Sequence, residues 1–194
     1  MKFFDTVAAI ATPIGSGGIA IIRISGEESV SSAEKIAFPL SGKALSAMES
    51  HKMTLCRIKG KNGQLIDEAL VVLMLAPKSY TGENVVEIHC HGGMMAAKLI
   101  MDELSDLGIR QAEPGEFTRR AFINGKTDLT GAEAVMDMID AKSRLGVYDA
   151  ASSLSGKLAE KISGLRNRVL SLAARLSATA DFPMDSCRNT TWRQ

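Results

Sequence analysis

The first 115 residues alternate short apolar runs with turn-forming residues. Five runs rich in β-branched side chains have the alternating pattern of strands, and they lie at 5–11, 19–25, 53–59, 65–76 and 85–91. Asn62-Gly63, between the third and fourth runs, predicts a hairpin turn. Segments 27–37 and 94–107 have helical spacing and lie between the strands. The pattern predicts an α+β domain.

The pattern changes near residue 115. No proline occurs between Pro114 and Pro183, and two helices are predicted, over 129–143 and over 146–180. In the second helix, apolar residues recur at steps of three and four and share one face; they are Val147, Ala150, Leu154, Leu158, Ile162, Leu165, Val169, Leu172 and Leu176. This face needs a partner, either other helices of the same chain or another copy.

Composition excludes several classes of protein. The 194 residues are 45% hydrophobic, with 23 Lys and Arg against 22 Asp and Glu, so the formal net charge is +1. This composition is that of a globular protein and not of a disordered, collagen-like or disulfide-rich one. Because the net charge is close to zero, any site for a polyanion must arise from a local cluster of positive charge. Cys56, Cys90 and Cys187 are too far apart for a Cys-x-x-Cys motif, which favours a reduced, cytoplasmic setting. No uncharged apolar run is long enough to span a membrane.

Two glycine-containing segments are similar to nucleotide loops, but neither fits. The glycines at 15, 17 and 18 precede a strand, whereas a dinucleotide loop must open a helix. Gly125-Lys126-Thr127 ends like a P-loop, but the first glycine of that motif would fall on Arg120. No GTP or ATP site is predicted in these residues.

Charged residues interrupt two otherwise apolar strands at Arg23 and Glu87. Three interpretations are open for Glu87: an exposed alternating position, a carboxylate that accepts paired N–H donors from a ligand, or a structural ion pair with Arg23. His89 and His91 could coordinate a metal only with a third residue, and the sequence shows none nearby. Two other interpretations are open: the histidines form hydrogen bonds at the end of a buried strand, or they face a bound small molecule. The polar segment 113–126 lies where the two patterns meet. Its charged residues either have a functional role in a loop or are ordinary exposed residues on the solvated face of a helix.

Three segments together resemble a known family. They are DTVAAIATPIGSGGIAIIRISG, IDEALVVLMLAPKSYTGENVVEIHCHGG and AEPGEFTRRAFINGKTDLTGAEAVMDMIDA, and in order and spacing they are similar to the N-terminal part of the tRNA modification GTPases called MnmE or TrmE. The resemblance implies a tetrahydrofolate-binding and dimerisation domain over 1–118, with a mixed β-sheet and helices like those of the glycine cleavage T protein. It also implies the first helices of an incomplete all-α domain over 119–183. The sequence departs from the family over 184–194, which we expect to be frayed, and we expect these 194 residues to lack the family's GTPase domain.

The resemblance also implies a function. Full-length members, with the flavoprotein MnmG, form 5-carboxymethylaminomethyl or aminomethyl uridine at the tRNA wobble position. The one-carbon donor is a tetrahydrofolate derivative, 5-formyl- or 5,10-methylene-tetrahydrofolate, and its contacts in the family correspond to Arg23, Glu87 and Lys126 here. Potassium, magnesium and GTP belong to the missing domain. We therefore expect a cytoplasmic homodimer that binds folate but is inactive alone, with no catalytic residue, no metal and no membrane contact.

Two other classes of function stay open. The first is a stand-alone aminomethyltransferase-like enzyme in which Glu87, His89 and His91 carry out acid–base chemistry on a folate-bound one-carbon unit. The second is a helical interaction module that recruits a partner through the apolar face of the long helix.

Overall fold

The computed structural model describes residues 5–13, 15 and 17–181. The chain divides into two compact units, Met1–Thr127 and Asp128–Gln194. The boundary between them lies nine residues beyond the 118/119 boundary expected from the sequence. The expected frayed tail over 184–194, including Cys187, lies outside the described residues.

A mixed seven-stranded sheet forms the first unit. Its strands are Val7–Ile10 (β1), Ile19–Ser25 (β2), Ala37–Pro39 (β3), Met53–Lys59 (β4), Leu65–Met74 (β5), Val85–His91 (β6) and Arg110–Gln111 (β7). They follow the order β3-β4-β5-β6-β2-β1-β7. All neighbouring pairs are antiparallel except β1 and β7, which are parallel. The α+β prediction is confirmed.

The five predicted strands correspond to β1, β2, β4, β5 and β6. Gly63 has φ 76°, and the turn before it closes through the Gly63 N–H to Gly60 carbonyl bond of 2.8 Å, so the predicted β4–β5 hairpin is confirmed. The sequence did not reveal β3 and β7, because strands of three and two residues are too short to show alternation.

The described residues of the first unit also form three helices and one 3-10 turn, Leu45–Ala47. Ser29–Glu34 (α1) and Met94–Asp106 (α2) correspond to the two predicted helices, the first being shorter than expected. Glu116–Ile123 (α3) was not predicted. Its most buried large side chains are Glu116 and Arg120, so α3 has no apolar stripe for a sequence pattern to detect.

The second unit contains Leu129–Asp140 (α4), Arg144–Leu154 (α5) and Lys157–Asp181 (α6). The predicted helix 129–143 corresponds to α4, but the single long helix over 146–180 is wrong. Gly156 has φ 80°, a left-handed conformation that ends α5 before α6 begins. The apolar spacing continues through the break, which is why the pattern alone suggested one helix. Among the described residues, no helix is both long and apolar enough to span a bilayer.

Alternation along the strands separates the two faces of the sheet. One face packs against α2 and forms the core, with Ile22, Ile24, Val71, Leu73, Val86, Ile88, Ala97, Ile100 and Leu104 buried. The intervening residues of β2 and β6 point to the other face, where Arg23 lies opposite Glu87 and Ile21 opposite His89. The core pattern therefore determines which residues are available on the second face.

The backbones of Gly92 and the 17–18 segment approach closely. The Gly17 N–H donates to the Gly92 carbonyl (3.4 Å), and the Gly92 N–H donates to the Gly18 carbonyl (3.3 Å). A Cβ on Gly92 would overlap the Gly17 carbonyl group, whereas a Cβ on Gly93 would meet nothing within 4 Å.

We expect Gly92→Ala to lower the free energy of unfolding by about 1–3 kcal/mol, because the backbone must shift to admit the methyl group. Gly93→Ala is the matched control and should change it by less than about 0.5 kcal/mol. Urea unfolding followed by circular dichroism measures both. Equal stabilities for the two variants would contradict the close approach.

Candidate functional site

Arg23 and Glu87 form an ion pair across β2 and β6. Both the Nε and the Nη2 atoms of Arg23 lie 2.8 Å from Glu87 Oε1. The side chains are 25% and 13% exposed, so Glu87 is not an ordinary solvated position on an alternating strand. Of the three interpretations of Glu87, the ion pair with Arg23 is present in the structure. Because the pair lies at the surface of the sheet, its polar atoms can also contact a bound molecule.

The second oxygen of Glu87 contacts His89. The His89 Nε2 to Glu87 Oε2 distance is 3.2 Å, and the imidazole is 19% exposed. Because the two residues are two positions apart on β6, they share one face. Glu87 is therefore held at both oxygens, by a guanidinium on one and an imidazole on the other.

His91 does not join this cluster. Its Nδ1 lies 2.6 Å from Asp67 Oδ1, its backbone N–H donates to Asp67 Oδ2 at 2.8 Å, and its side chain is 78% exposed. The two histidines thus contact different carboxylates. Among the described residues, no group of three His, Cys, Asp or Glu side chains could hold a metal ion.

Two aromatic rings contact the guanidinium of Arg23. Its Cζ lies 5.1 Å from the centre of the Tyr80 ring and 5.5 Å from that of Phe117, within the range of cation–π attraction. The Tyr80 hydroxyl is 2.8 Å from Thr118 Oγ1, so the loop before β6 and helix α3 are joined at this point. Sequence reasoning missed both rings, because neither segment showed a pattern that linked it to β2.

Lys126 lies against the same loop. Its Nζ donates to the Pro77 carbonyl at 3.0 Å, and its side chain passes close to Gly82. In the part of the chain that the structure describes, no hydrogen bond joins Lys126 directly to Arg23 or Glu87. The three residues expected from the family are thus an ion pair on the sheet and a lysine after α3 that contacts the loop carrying Tyr80.

A buried charge cluster positions α3. Arg120 and Glu116 are fully buried, and Arg120 Nη2 lies 2.8 Å from Glu116 Oε1. Arg120 also contacts Glu83 Oε2 at 3.2 Å and Asp5 Oδ1 at 2.9 Å. Arg110 is the fifth residue of the cluster, with its Nη2 2.8 Å from Glu116 Oε1.

The cluster extends to the sheet through hydroxyl groups. Ser25, at the end of β2, donates from its Oγ to Glu83 Oε2 (2.8 Å) and lies 2.7 Å from Thr81 Oγ1. Asn124, which follows α3, donates to the Thr81 carbonyl at 2.7 Å. These contacts fix the end of β2, the 81–83 loop and α3 together, and so fix Tyr80 and Phe117 around Arg23.

The charges of the cluster shift the pKa of Glu116. Hydrogen bonds from Arg110, together with the Glu113 N–H and Arg120, outweigh the effect of burial and lower its pKa from 4.5 to about 2. Glu116 is therefore ionised throughout the physiological range.

The glycine-rich segment does not line this site. Gly15, Gly17, Gly92 and Gly93 border a separate cavity of about 310 Å³, whose other walls are mostly apolar side chains near the start of α2. Neither Arg23 nor Glu87 contributes to its lining.

The described residues thus define a two-part protein: a mixed-sheet α+β domain with a charged, aromatic-flanked site on one face, and a helical unit. A family model described as the N-terminus of the GTP-binding protein TrmE matches residues 6–126, and one described as the MnmE helical domain matches 129–194. The chain belongs to this family, the tRNA modification GTPases called MnmE or TrmE.

Curated relatives agree with this assignment. The chain is 45% identical over 180 residues to the tRNA modification GTPase MnmE of Carboxydothermus hydrogenoformans. It is 46% identical over 179 residues to that of Symbiobacterium thermophilum and 47% identical over 180 to that of Moorella thermoacetica. Each match covers 92% of this chain but 39% of the relative. The chain therefore spans about two fifths of the length of these relatives.

We expect Glu116→Gln to lower the free energy of unfolding at pH 7 by about 3–5 kcal/mol, because it removes one partner from a buried ion pair. The folded-state pKa of Glu116 lies below its ordinary value, so its contribution is present above pH 4.5 and is lost as the pH falls toward 2. The variant should therefore lose less stability than the parent over that interval.

Glu113→Gln is the control, since Glu113 is exposed and pairs with Arg119 at 3.1 Å. It should cost less than about 1 kcal/mol and leave the acid dependence unchanged. Urea unfolding between pH 2 and 7 measures both properties. Identical pH profiles for Glu116→Gln and the parent would contradict the assigned role.

Proposed function

We propose that this chain binds a tetrahydrofolate derivative, 5-formyl- or 5,10-methylene-tetrahydrofolate, through Arg23, Glu87 and Lys126. The observation that carries the proposal is the Arg23–Glu87 pair on one face of the sheet, with the rings of Tyr80 and Phe117 centred 5.1 and 5.5 Å from the guanidinium of Arg23. A pterin presents a 2-amino group and a ring N–H side by side, and a carboxylate accepts such a pair of donors.

The contacts of Glu87 suit an exchange of donors. Arg23 presents its N–H groups to Glu87 Oε1, and His89 lies against Oε2. The paired N–H groups of a pterin can occupy the same acceptors, while Arg23 turns toward the formyl or carbonyl oxygens of the ligand. The exchange replaces one charge-assisted contact with another, so Glu87 is not left buried without a partner.

Nearby groups fit the remainder of such a ligand. Tyr80 and Phe117 offer flat apolar surfaces to a flat ring. Lys126 has its Nζ at the surface, on a backbone carbonyl, and an ammonium there can attract the carboxylates of the glutamate tail. The folate supplies a one-carbon unit; the residues of this chain bind and orient it.

The wider activity is proposed from the family. The relatives are named as tRNA modification GTPases. We propose that this chain forms the folate-binding part of a cytoplasmic assembly with MnmG that modifies carbon 5 of the wobble uridine in tRNA. The potassium, magnesium and GTP requirements of that assembly belong to a domain outside these 194 residues, and the chain alone is proposed to be inactive.

A second candidate function has one observation in its favour. His89 and Glu87 form an imidazole–carboxylate pair at 3.2 Å, as general acid–base chemistry requires. A stand-alone aminomethyltransferase would transfer a one-carbon unit from folate without added protein. Incubating the chain with labelled folate and candidate amine acceptors distinguishes the two: binding without turnover supports the first proposal, and turnover supports the second.

Glu87→Ala and Arg23→Ala should each weaken 5-formyl-tetrahydrofolate binding by about 1–3 kcal/mol, or about 5- to 150-fold in Kd, because each removes a charge-assisted contact. Lys126→Ala should weaken it in the same direction. Isothermal titration calorimetry measures the affinities.

Arg57→Ala and Glu68→Ala are matched controls. These residues form the same kind of cross-strand pair on the same sheet, at 3.0 Å, but are 54% and 46% exposed. They should leave the affinity unchanged. If the Arg23 and Glu87 variants unfold while the controls fold, the pair is purely structural and the folate proposal loses its support.

Homodimerisation is proposed through the first unit. Four apolar side chains on the face that carries Arg23 and Glu87 are exposed, namely Ile19, Met53, Leu55 and Leu70. Covering them in a two-fold interface would remove apolar area from water.

We expect a fragment of residues 1–127 to sediment as a dimer. The control is the whole chain carrying Leu165→Lys and Leu172→Lys, which alters the apolar face of α6 and should remain dimeric. A monomeric fragment, or a monomeric Leu165→Lys/Leu172→Lys chain, would show that the helical unit holds the copies together.

A further inference from the structure

Helix α6 carries four of its five positive charges on one edge. It contains five basic residues and two acidic ones, and none of its residues is buried. At about 100° per residue, Lys157, Lys161, Arg168 and Arg175 fall within about 40° of one another. Arg166 points to a different side. We call these four residues the basic stripe; it is about 27 Å long at a rise of about 1.5 Å per residue.

The basic stripe lies along the border of the apolar face of α6. Next to it lies the exposed apolar face that includes Leu158, Leu165 and Val169. The side opposite that apolar face carries no cation of α6; it holds Glu160 and Asp181 among uncharged residues such as Asn167. The four residues of the basic stripe thus lie in one line along the helix and are not spread around it.

Part of this arrangement destabilises the helix itself. Lys157 and Lys161 are four positions apart, a like-charge spacing that destabilises a helix by a few tenths of a kcal/mol. Among the described residues, none of the four stripe residues has an ion-pair partner within 4.0 Å. A ligand with regularly spaced negative charge would offset this repulsion.

We propose that the basic stripe of α6 binds the phosphate backbone of RNA. The proposal rests on the proposed function in one respect, that the substrate is a tRNA. A line of exposed lysines and arginines matches a line of phosphates, and such contacts position an RNA without reading its sequence. With a net charge of only +1 on the whole chain, attraction to RNA must arise from a local surface of this kind.

The charge pattern favours RNA over an anionic membrane. Helices that lie on membranes have a strongly charged polar face opposite their apolar face. Such a face is rich in Lys and Arg, whereas in α6 the side opposite the apolar face carries the two acidic residues Glu160 and Asp181 among small uncharged residues such as Ser163, and no cation. The stripe lies along one edge only, as contact with a single phosphate strand requires.

The test compares two double variants of the 194-residue chain. Lys161→Gln/Arg168→Gln removes two stripe charges; Arg144→Gln/Arg166→Gln removes two exposed charges of the same unit that lie off the stripe. Binding to an unmodified tRNA transcript is measured by fluorescence anisotropy between 50 and 200 mM KCl. Circular dichroism verifies that both variants keep their helix content.

The stripe variant should bind about tenfold more weakly at 100 mM KCl, and its slope of log affinity against log salt should be smaller by about 1.4–1.8, since each lost phosphate contact accounts for about 0.7–0.9. The control should bind within about twofold of the parent. Equal losses in the two variants would overturn the proposal, because they would reflect net charge alone.

Two further measurements separate the proposals. Tighter binding to vesicles of equal phosphatidylcholine and phosphatidylserine than to tRNA, abolished by the stripe variant, would overturn the assignment to RNA. Titration with 5-formyl-tetrahydrofolate should be unchanged in the stripe variant. Folate binding without any RNA binding by the parent chain refutes the stripe proposal alone, whereas RNA binding without folate binding refutes the proposed folate site alone.

Discussion

The site depends on the antiparallel register between β2 and β6. This register places Arg23 opposite Glu87 and keeps Ile22 opposite Ile88 on the other face. A slip of one residue would bury the charges in the core and expose the apolar side chains, which the hydrophobic effect opposes strongly. The stability of the core therefore also determines the geometry of the site. Glu87, inside an apolar strand, is tolerated because Arg23 and His89 both contact it.

A second constraint acts from the side of the sheet. Arg120 and Glu116 lie in α3 almost fully buried and form the centre of a network of opposite charges, whose outer members are Glu83 and the half-exposed Asp5 and Arg110. Buried ion pairs give less net stability than their Coulomb attraction suggests, but they specify one arrangement, since any displacement leaves a charge without a partner. Here that arrangement brings the rings of Phe117 and Tyr80 to the guanidinium of Arg23. The polar segment between the two sequence patterns is thus part of the site's framework.

The helical unit has a different character. Its longest helix, α6, buries none of its residues and has an apolar face beside a line of cations. The relatives are more than twice as long as the region that this chain matches. Apolar residues would cover the first of these surfaces, and RNA is the proposed partner of the second.

The sequence by itself determined the five main strands, the hairpin at Asn62-Gly63, the change to helices after Pro114 and the family. It also identified Arg23 and Glu87 as candidate site residues. These follow from local alternation, from turn chemistry and from a charge placed in an apolar run, which are all visible along one segment. Only the tertiary structure decided that the two charges meet, that His89 joins them while His91 pairs with Asp67, and that α3 supplies Phe117. It also revealed the end of α5 at Gly156, because the apolar period does not depend on the left-handed residue between two helices. Contacts between segments distant along the chain leave no local sequence pattern. The sequence could therefore identify candidate residues but could not predict which of them contact one another.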